Sequence, residues 1–287
     1  MKTSFYKYIL LILAACSVQV GLSQSDNAHV LRIGLSGGGV FNLMPTGCEM
    51  TSKIGGSGAL ELDYAYYKSL NTVGVGLRTG LGIGYVNSQY HAEFSQQYTN
   101  TDYLNNDINY TTSAVVDITQ HQLHATIPLM FALRADGLVW NIGLNLQAAF
   151  FQQGNQQLSN PLIEAYYPAY NVVVSNELIT GKLQEDQLLM PTQRPPLSFS
   201  CLVGTEIGYE HSINSKTGIG VMAYVNVGVW NSLPKATNTP VIQVDPISDS
   251  KHPVPAVSVN DAYCSLVNSS TPLQFGVKLY YAFTCKE

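Results

Sequence analysis

The sequence carries little charge for its length. Only 11% of its 287 residues are charged and 46% are hydrophobic, whereas about a quarter of the residues of a typical soluble domain are charged. This composition indicates that something other than water solvates part of the surface. Beyond the N-terminus, no apolar run approaches the roughly 20 residues that a membrane-spanning helix needs, which excludes helical spans.

Several site chemistries are also missing. The net charge of -5 comes with scattered Lys and Arg and no basic stripe, which excludes electrostatic binding of nucleic acid. His121 and His124 lie three residues apart and therefore point to opposite faces of a strand, and no zinc spacing occurs. The glycines at 37–39 and 74–84 have no following helix, unlike phosphate-binding loops. The sequence predicts no metal and no cofactor.

The first two dozen residues have the pattern of a secretory signal. Lys2 and Lys7 give a positive start, and residues 8–15 form a short apolar core. We expect a signal peptide over residues 1–23, with cleavage before Gln24. The stretch ending at Cys16 resembles a lipobox, so lipidation of that cysteine is the alternative.

A period of two organises the remaining chain. In 138–150 the even positions from Leu138 to Leu146 are apolar, while Asn141, Gly143, Asn145 and Gln147 occupy the opposite face. The same alternation recurs in 219–229 and 273–283. In all, the pattern predicts eight strands, at 29–41, 57–68, 73–88, 114–134, 138–152, 197–211, 218–231 and 272–285.

The connections between these strands differ by parity. Those after strands two, four and six are short, and those after one, three, five and seven are long. Outer-membrane barrels show this sorting, with short periplasmic turns and long external loops, and an even strand number places both termini in the periplasm. We therefore predict one domain over 24–287, an all-β, transmembrane, antiparallel up-and-down barrel with four long external loops, integral to a bacterial outer membrane. It has eight strands, or ten if loop three (153–196) forms a hairpin.

Most charged residues of the strands share one face. The other face is apolar and carries charge only toward strand ends, at Lys68 and Asp117, as lipid contact requires, because Lys or Arg there would cost about 2–4 kcal/mol at mid-bilayer. An eight-stranded barrel is just wide enough for side chains to fill, so the sequence predicts a paired polar plug without a wide channel. The alternative is a soluble lipocalin-like barrel with the faces exchanged. The predicted lumen network comprises Arg32, Glu61, Asp63, Arg78, Glu206, Glu210 and Lys278, with Arg134 on the same face.

One strand resembles a known family. Residues 123–133 contain Ile127-Pro128-Leu129 and are followed by a tight turn, which is similar to the "Ile-Pro-Leu" strand of the PorT-like outer-membrane β-barrel proteins of Bacteroidota. The aromatic-rich final strand is similar too, although Ala125 and Thr126 stand where the family usually has Glu. The resemblance implies an outer-membrane location more than an activity, and the founding member is linked to secretion and gliding. Pro128 removes a ladder donor, so we expect a bulge there.

The cysteines suggest one cross-link. Cys48 lies in the first long loop and Cys264 in the last, and these loops become neighbours when strand eight pairs with strand one. We predict a Cys48–Cys264 disulfide in this oxidising compartment, the alternative being two unrelated thiols. Cys201 is expected to face lipid, Cys285 lies at the periplasmic rim, and neither is given a role.

The sequence favours a non-enzymatic function. His121, with Ser113 and Asp117 nearby, permits a hydrolase by geometry, but no nucleophile motif accompanies them. We expect a structural or interaction protein, accessory to secretion or surface assembly, that contacts outer-membrane lipid and binds a protein partner through its external loops. The alternative is a narrow pore for small solutes or ions. The predicted loop patch is Tyr166, Tyr167 and Tyr170, the alternative being that this stretch folds over the barrel mouth.

Overall fold

The computed structural model describes residues 27–44, 50–70, 73–102, 104–175, 187–191, 197–231, 239–245, 256–260, 262, 266 and 270–286. The predicted signal peptide, Cys48 and Cys264 lie outside these residues. The chain is built from twelve strands: β1 (Ala28–Leu43), β2 (Met50–Leu70), β3 (Val73–Thr101), β4 (Asp107–Ala135), β5 (Leu138–Tyr167), β6 (Val172–Ser175), β7 (Gln187–Pro191), β8 (Ser198–Ser212), β9 (Thr217–Asn231), β10 (Ile242–Asp245), β11 (Ala256–Val259) and β12 (Thr271–Lys286).

Eight of the strands form a closed antiparallel ring, which confirms the predicted fold class. Its order is β1, β2, β3, β4, β5, β8, β9 and β12, and β12 returns to pair with β1 along its whole length, from Ala28 opposite Lys286 to Leu43 opposite Thr271. Three short turns join strands at the end of the ring that holds both termini. In one of them, Asp136 and Gly137 have φ of 47° and 83°, the conformation that Asp-Gly favours in a two-residue hairpin.

The strands β3, β4 and β5 are much longer than the sequence predicts. Residues 89–101 and 107–113, expected to be loop, continue β3 and β4, and only residues 102–106 connect them. Likewise, residues 153–167 continue β5 and still pair with β4. The prediction of a long second loop is therefore wrong, and the third loop is shorter than expected.

The reason for this error lies in which face is apolar. On β3 the outward positions up to Tyr85 are apolar apart from Thr79, and beyond it most apolar residues lie at inward positions, for example Tyr90, Ala92 and Phe94. Alternation continues through the boundary, but the two faces exchange polarity. The outward apolar face ends at Tyr85, so the residues beyond it resemble a loop in the sequence.

The expected bulge at Pro128 is absent. The β3–β4 ladder lacks the pairs of Ile127 and Pro128, yet the register is the same on both sides of the gap. Because Pro128 lacks only a donor, the ladder loses bonds there without gaining a residue. The register instead shifts between Leu123 and His124, where β5 holds the extra residue Phe150 between the partners Ala149 and Phe151.

An apolar band surrounds the lower barrel, the half that ends in the three short turns. Leu35, Leu129 and Leu279 are 64%, 48% and 61% exposed on its outer surface. On β3 the band runs from Val73 to Tyr85, and twelve residue steps of about 3.3 Å, inclined by about 40°, cover roughly 30 Å. That height matches the hydrocarbon core of a bilayer. No helix within the described residues is long and apolar enough to cross a membrane.

Above the band, the extended parts of β3, β4 and β5 form a curved sheet that we call the upper sheet (87–101, 107–121 and 153–167). Its inner face carries a compact core to which Phe94, Tyr110, Ile118 and Ile163 belong. The hairpin β10–β11 packs against this core through Ile242 and Val244, which are fully buried. The strands β6 and β7 pair with the upper part of β5.

Candidate functional site

The lumen of the lower barrel contains two groups of ion pairs. In the first, which we call the Arg78 cluster, the guanidinium of Arg78 contacts Glu206, Asp63 and Glu61. Lys278 bridges Glu61 and Glu206, with its Nζ 2.7 Å from Glu206 Oε1. All five side chains are buried or nearly so. Two cations thus face three carboxylates, which leaves this cluster one negative charge in excess.

The second group, the Glu210 cluster, lies closer to the short turns. Glu210 Oε2 is 3.2 Å from Arg32 Nη2 and accepts a hydrogen bond from the Tyr280 hydroxyl at 3.1 Å, while Oε1 is 2.7 Å from Arg134 Nη2. Arg32 also donates to the Tyr67 hydroxyl and lies over the Tyr280 ring. Two guanidinium groups share one carboxylate here, so this cluster has one positive charge in excess.

The structure therefore places every residue of the predicted lumen network inside the barrel, and it divides the network in two. The sequence alone did not indicate the hydrogen-bond partners Tyr280 and Asn141, the second of which donates to Glu206 Oε2 at 3.0 Å. Both lie on the polar face of the alternating pattern. The sequence therefore predicts which face of the strand each residue occupies, whereas the pairing across the lumen depends on strand register.

Neutral amides fill the lumen above the Arg78 cluster. Asn145 donates to Asn226 at 2.9 Å, and Gln152 donates to Ser198 at 2.6 Å. Two small cavities of about 50 and 80 Å³ lie between these layers. Since a buried water needs at least about 10–15 Å³ of such space, each cavity holds only a few waters. The described residues leave no wide aqueous path through the barrel.

The hairpin β10–β11 covers the inner face of the upper sheet above the lumen. Side chains of the sheet bind its backbone: Gln96 Oε1 accepts from the Val241 amide at 2.8 Å, and Tyr98 Oη accepts from the Val244 amide at 2.7 Å. Gln156 donates to the Asn260 carbonyl at 2.9 Å and accepts from the Ala262 amide at 2.8 Å. These contacts, together with the buried Ile242 and Val244, hold the hairpin over the barrel mouth. No sequence pattern predicts this pairing.

The outer face of the upper sheet is polar and carries four carboxylates, those of Glu93, Asp107, Asp117 and Glu164. An ion pair stands at its lower part, where Asp117 Oδ1 lies 2.8 Å from Lys53 Nζ and 2.9 Å from His91 Nδ1. Although partial burial opposes ionisation, the hydrogen bonds from Lys53 and His91 hold the pKa of Asp117 below its usual value. Most of the other outward residues are amides and hydroxyls: Asn87, Gln89, Ser95, Gln97, Thr99, Asn109, Thr111, Ser113, Thr119, Gln153, Asn155 and Gln157.

The three tyrosines of the predicted patch do not share one face. Tyr166 and Tyr170 are 37% and 62% exposed at the tip of the β5–β6 hairpin, and the Tyr166 hydroxyl donates to Asn171 Oδ1 at 3.2 Å. Tyr167 follows Tyr166 on β5, so it points to the other face and packs against the inner core. The exposed tip comprises Tyr166, Tyr170 and the neighbouring Val172 and Val173. The predicted patch is thus corrected at Tyr167.

The candidate hydrolase residues do not converge. Asp117 is bound by Lys53 and His91, whereas His121 Nδ1 is 2.5 Å from the Tyr85 hydroxyl. Ser113 lies four residues beyond Asp117 on the same strand, about 13 Å away at 3.3 Å per residue. Cys201 and Cys285 are free thiols, and the predicted partners Cys48 and Cys264 lie outside the described residues. Within the described part of the chain no three His, Cys, Asp or Glu side chains are placed to hold a metal.

Comparison with known proteins adds little to this geometry. No family model matches the chain, and no curated protein matches it. Among solved structures, it is similar at 8% identity to the attachment invasion locus protein Ail of Yersinia pestis in complex with the heparin analogue sucrose octasulfate, over 91% of this chain and 100% of that chain, with a TM-score of 0.23. The outer membrane protease OmpT of Escherichia coli has 8% identity over 93% and 99%, with a TM-score of 0.21. The translocator domain of the autotransporter NalP of Neisseria meningitidis has 7% identity over 98% and 95%, with a TM-score of 0.21.

Proposed function

We propose that this chain is a non-enzymatic, integral outer-membrane β-barrel that acts as an interaction protein. The observation that carries the proposal is the exchange of face polarity along β3, β4 and β5. Below Tyr85 the apolar face is outside, as contact with lipid requires, and above it the apolar face is inside, as contact with water requires. A single set of strands thus anchors in a bilayer and carries a folded sheet beyond it.

The closed lumen favours this role over the narrow pore. The Arg78 and Glu210 clusters fill the lower lumen, amides fill the upper lumen, and the β10–β11 hairpin covers the mouth. Opening a path would separate buried ion pairs, which costs about 3–5 kcal/mol for each charge left unpaired. We therefore expect no discrete conductance steps from purified protein in planar bilayers.

In this proposal, the upper sheet and the tip of the β5–β6 hairpin bind the partner. Long connections on a rigid scaffold commonly carry binding, and here the scaffold extends outward as the sheet itself. The tip formed by Tyr166, Tyr170, Val172 and Val173 exposes apolar side chains at the end of the sheet away from the band. A protein partner at this tip agrees with an accessory role in secretion or surface assembly, which the resemblance to PorT-like proteins suggests.

Site-specific photocrosslinking in intact cells tests the proposal. A photoreactive amino acid at Tyr170 should give one reproducible crosslinked product with a protein. The same group at Leu129, within the apolar band, should give only lipid adducts. Boiling should shift the mobility of the uncrosslinked protein in outer-membrane fractions, as closed barrels resist detergent until heated. A protein recovered in the soluble periplasm, or equal crosslinking from both positions, would overturn the proposal.

A further inference from the structure

The short-turn end of the barrel holds a polar pocket below the ion-pair network, at the end opposite the upper sheet. Its volume is about 340 Å³, within the range of small-ligand sites, and its walls include Arg134, Glu210, Ser212, Ser215, Thr217 and Thr284. They come from the ends of β4, β8, β9 and β12 and from the turn between β8 and β9. The pocket lies directly below the Glu210 cluster.

The charges in this pocket favour an anion. Glu210 is the carboxylate of the wall, and both of its oxygens are already engaged, Oε1 by Arg134 and Oε2 by Arg32 and Tyr280. Two guanidinium groups therefore share one negative charge. Of the two, Arg134 is the one at the pocket, with 23% of its side chain exposed, whereas Arg32 is fully enclosed. The excess positive charge of the cluster is thus presented to the pocket through Arg134.

The donors in the pocket are also unused. Among the described residues, Glu210 is the one recorded partner of Arg134, and it engages only Nη2 of a guanidinium that carries five N–H donors. Ser212, Ser215 and Thr284 bring three hydroxyls to the wall. Thr284 has the lumen-facing parity of the buried Lys278 and Tyr280 on β12, and it is half-buried.

We propose that this pocket binds the oxyanion of a small ligand, a carboxylate or a phosphate, between the Arg134 guanidinium and the Thr284 hydroxyl. Arg recognises both groups through paired N–H donors. If the short turns face the periplasm, as in outer-membrane barrels, the ligand comes from that compartment. The inference is independent of the extracellular role proposed above, because the two sites lie at opposite ends of the barrel and are tested with different probes.

Three probes separate the sources of the oxyanion: N-acetyl dialanine with a free carboxylate, the same peptide as its carboxamide, and inorganic phosphate. They are titrated into the ¹⁵N-labelled full-length mature protein in detergent, and binding is followed by the NMR shifts of the Thr217, Gly218 and Thr284 amides. We expect saturable shifts with the carboxylate peptide or with phosphate, and the tighter of the two identifies the source. The carboxamide should cause none. Equal binding of the carboxamide, or no binding of any probe, would overturn the proposal.

Three variants locate the site. Arg134→Gln should weaken binding at least about tenfold, since a hydrogen bond to a charged group is worth that much or more. Thr284→Val removes a wall hydroxyl without touching an ion pair and should weaken binding several-fold, so the test survives if the first variant misfolds. Lys216→Gln is the matched control, because Lys216 is a cation of the same turn that does not line the pocket. Full binding by both pocket variants, or an equal loss with Lys216→Gln, would contradict the site.

Discussion

Replacing Arg78 with Gln tests the plugged lumen most severely. Arg78 is fully buried and contacts three carboxylates, Glu61, Asp63 and Glu206. Without it, Lys278 still contacts Glu61 and Glu206, but Asp63 loses its cation. Removing one partner of a buried ion pair costs about 3–5 kcal/mol, because the other charge stays buried. We expect the free energy of unfolding to fall by that amount, a large part of the roughly 5–15 kcal/mol that stabilises a typical domain.

Urea unfolding from lipid vesicles measures this change through tryptophan emission. The protein has two tryptophans, and both Trp140 and Trp230 face outward, so their emission reports the loss of lipid contact. Adding Asp63→Asn to Arg78→Gln should restore part of the stability, since Asp63 is the carboxylate of this cluster that Lys278 does not contact. Lys53→Gln is the control, as it breaks an exposed pair worth about 0–1 kcal/mol. A cost below about 1 kcal/mol for Arg78→Gln would refute the reasoning.

Three further predictions concern closure, the covering hairpin and the surface pair. Gly276→Ala should prevent closure and abolish the heat-dependent mobility shift, because its Cβ would lie 2.2 Å from the Gly37 carbonyl oxygen; Gly56→Ala, with no atom within 4 Å, should leave the shift intact. Gln156→Leu removes two hydrogen bonds to the hairpin and should speed proteolysis within 239–260, whereas an unchanged rate would argue against this anchoring. Asp117→Asn should cost at most about 1 kcal/mol at pH 7 in urea unfolding. Because the folded state lowers the Asp117 pKa, its contribution is present above the usual Asp value and lost as the pH falls below about 4, so a difference that persists there would contradict the assignment.

The lower barrel follows from the sequence because lipid imposes a simple rule on it. Outward residues in the band are uncharged and mostly apolar, and the inner face accommodates the charges, so a period of two identifies both faces at once. The strands β8, β9 and β12 were predicted to within about one residue at each end. The predicted charges of the lumen lie inside for the same reason, since Arg32, Arg78 and Lys278 occupy the polar positions of their strands.

The upper sheet was not predicted because the lower part of β3 contacts lipid and its upper part contacts water. Above Tyr85 the outward residues are Asn87, Gln89 and His91, which resemble loop composition when the apolar face is assumed to stay outside. The inward apolar residues of β3 are shielded from water only when another segment packs on them. The hairpin β10–β11 is that segment, and it lies more than a hundred residues further along the chain. Local pattern therefore predicts the faces of a strand, while the partner that covers a face depends on the closed topology.

Spin labels on β4 provide the most direct test of the central claim, the exchange of face polarity at the membrane boundary. In a background without native cysteines, labels at Leu129 and Thr119 both point outward, one within the apolar band and one above it. The account predicts that Leu129 is accessible to oxygen, which concentrates in lipid, and shielded from a water-soluble nickel chelate, and that Thr119 shows the reverse. A label at Ile118, buried in the upper core, should be shielded from both. Equal nickel accessibility at Leu129 and Thr119 would contradict the account.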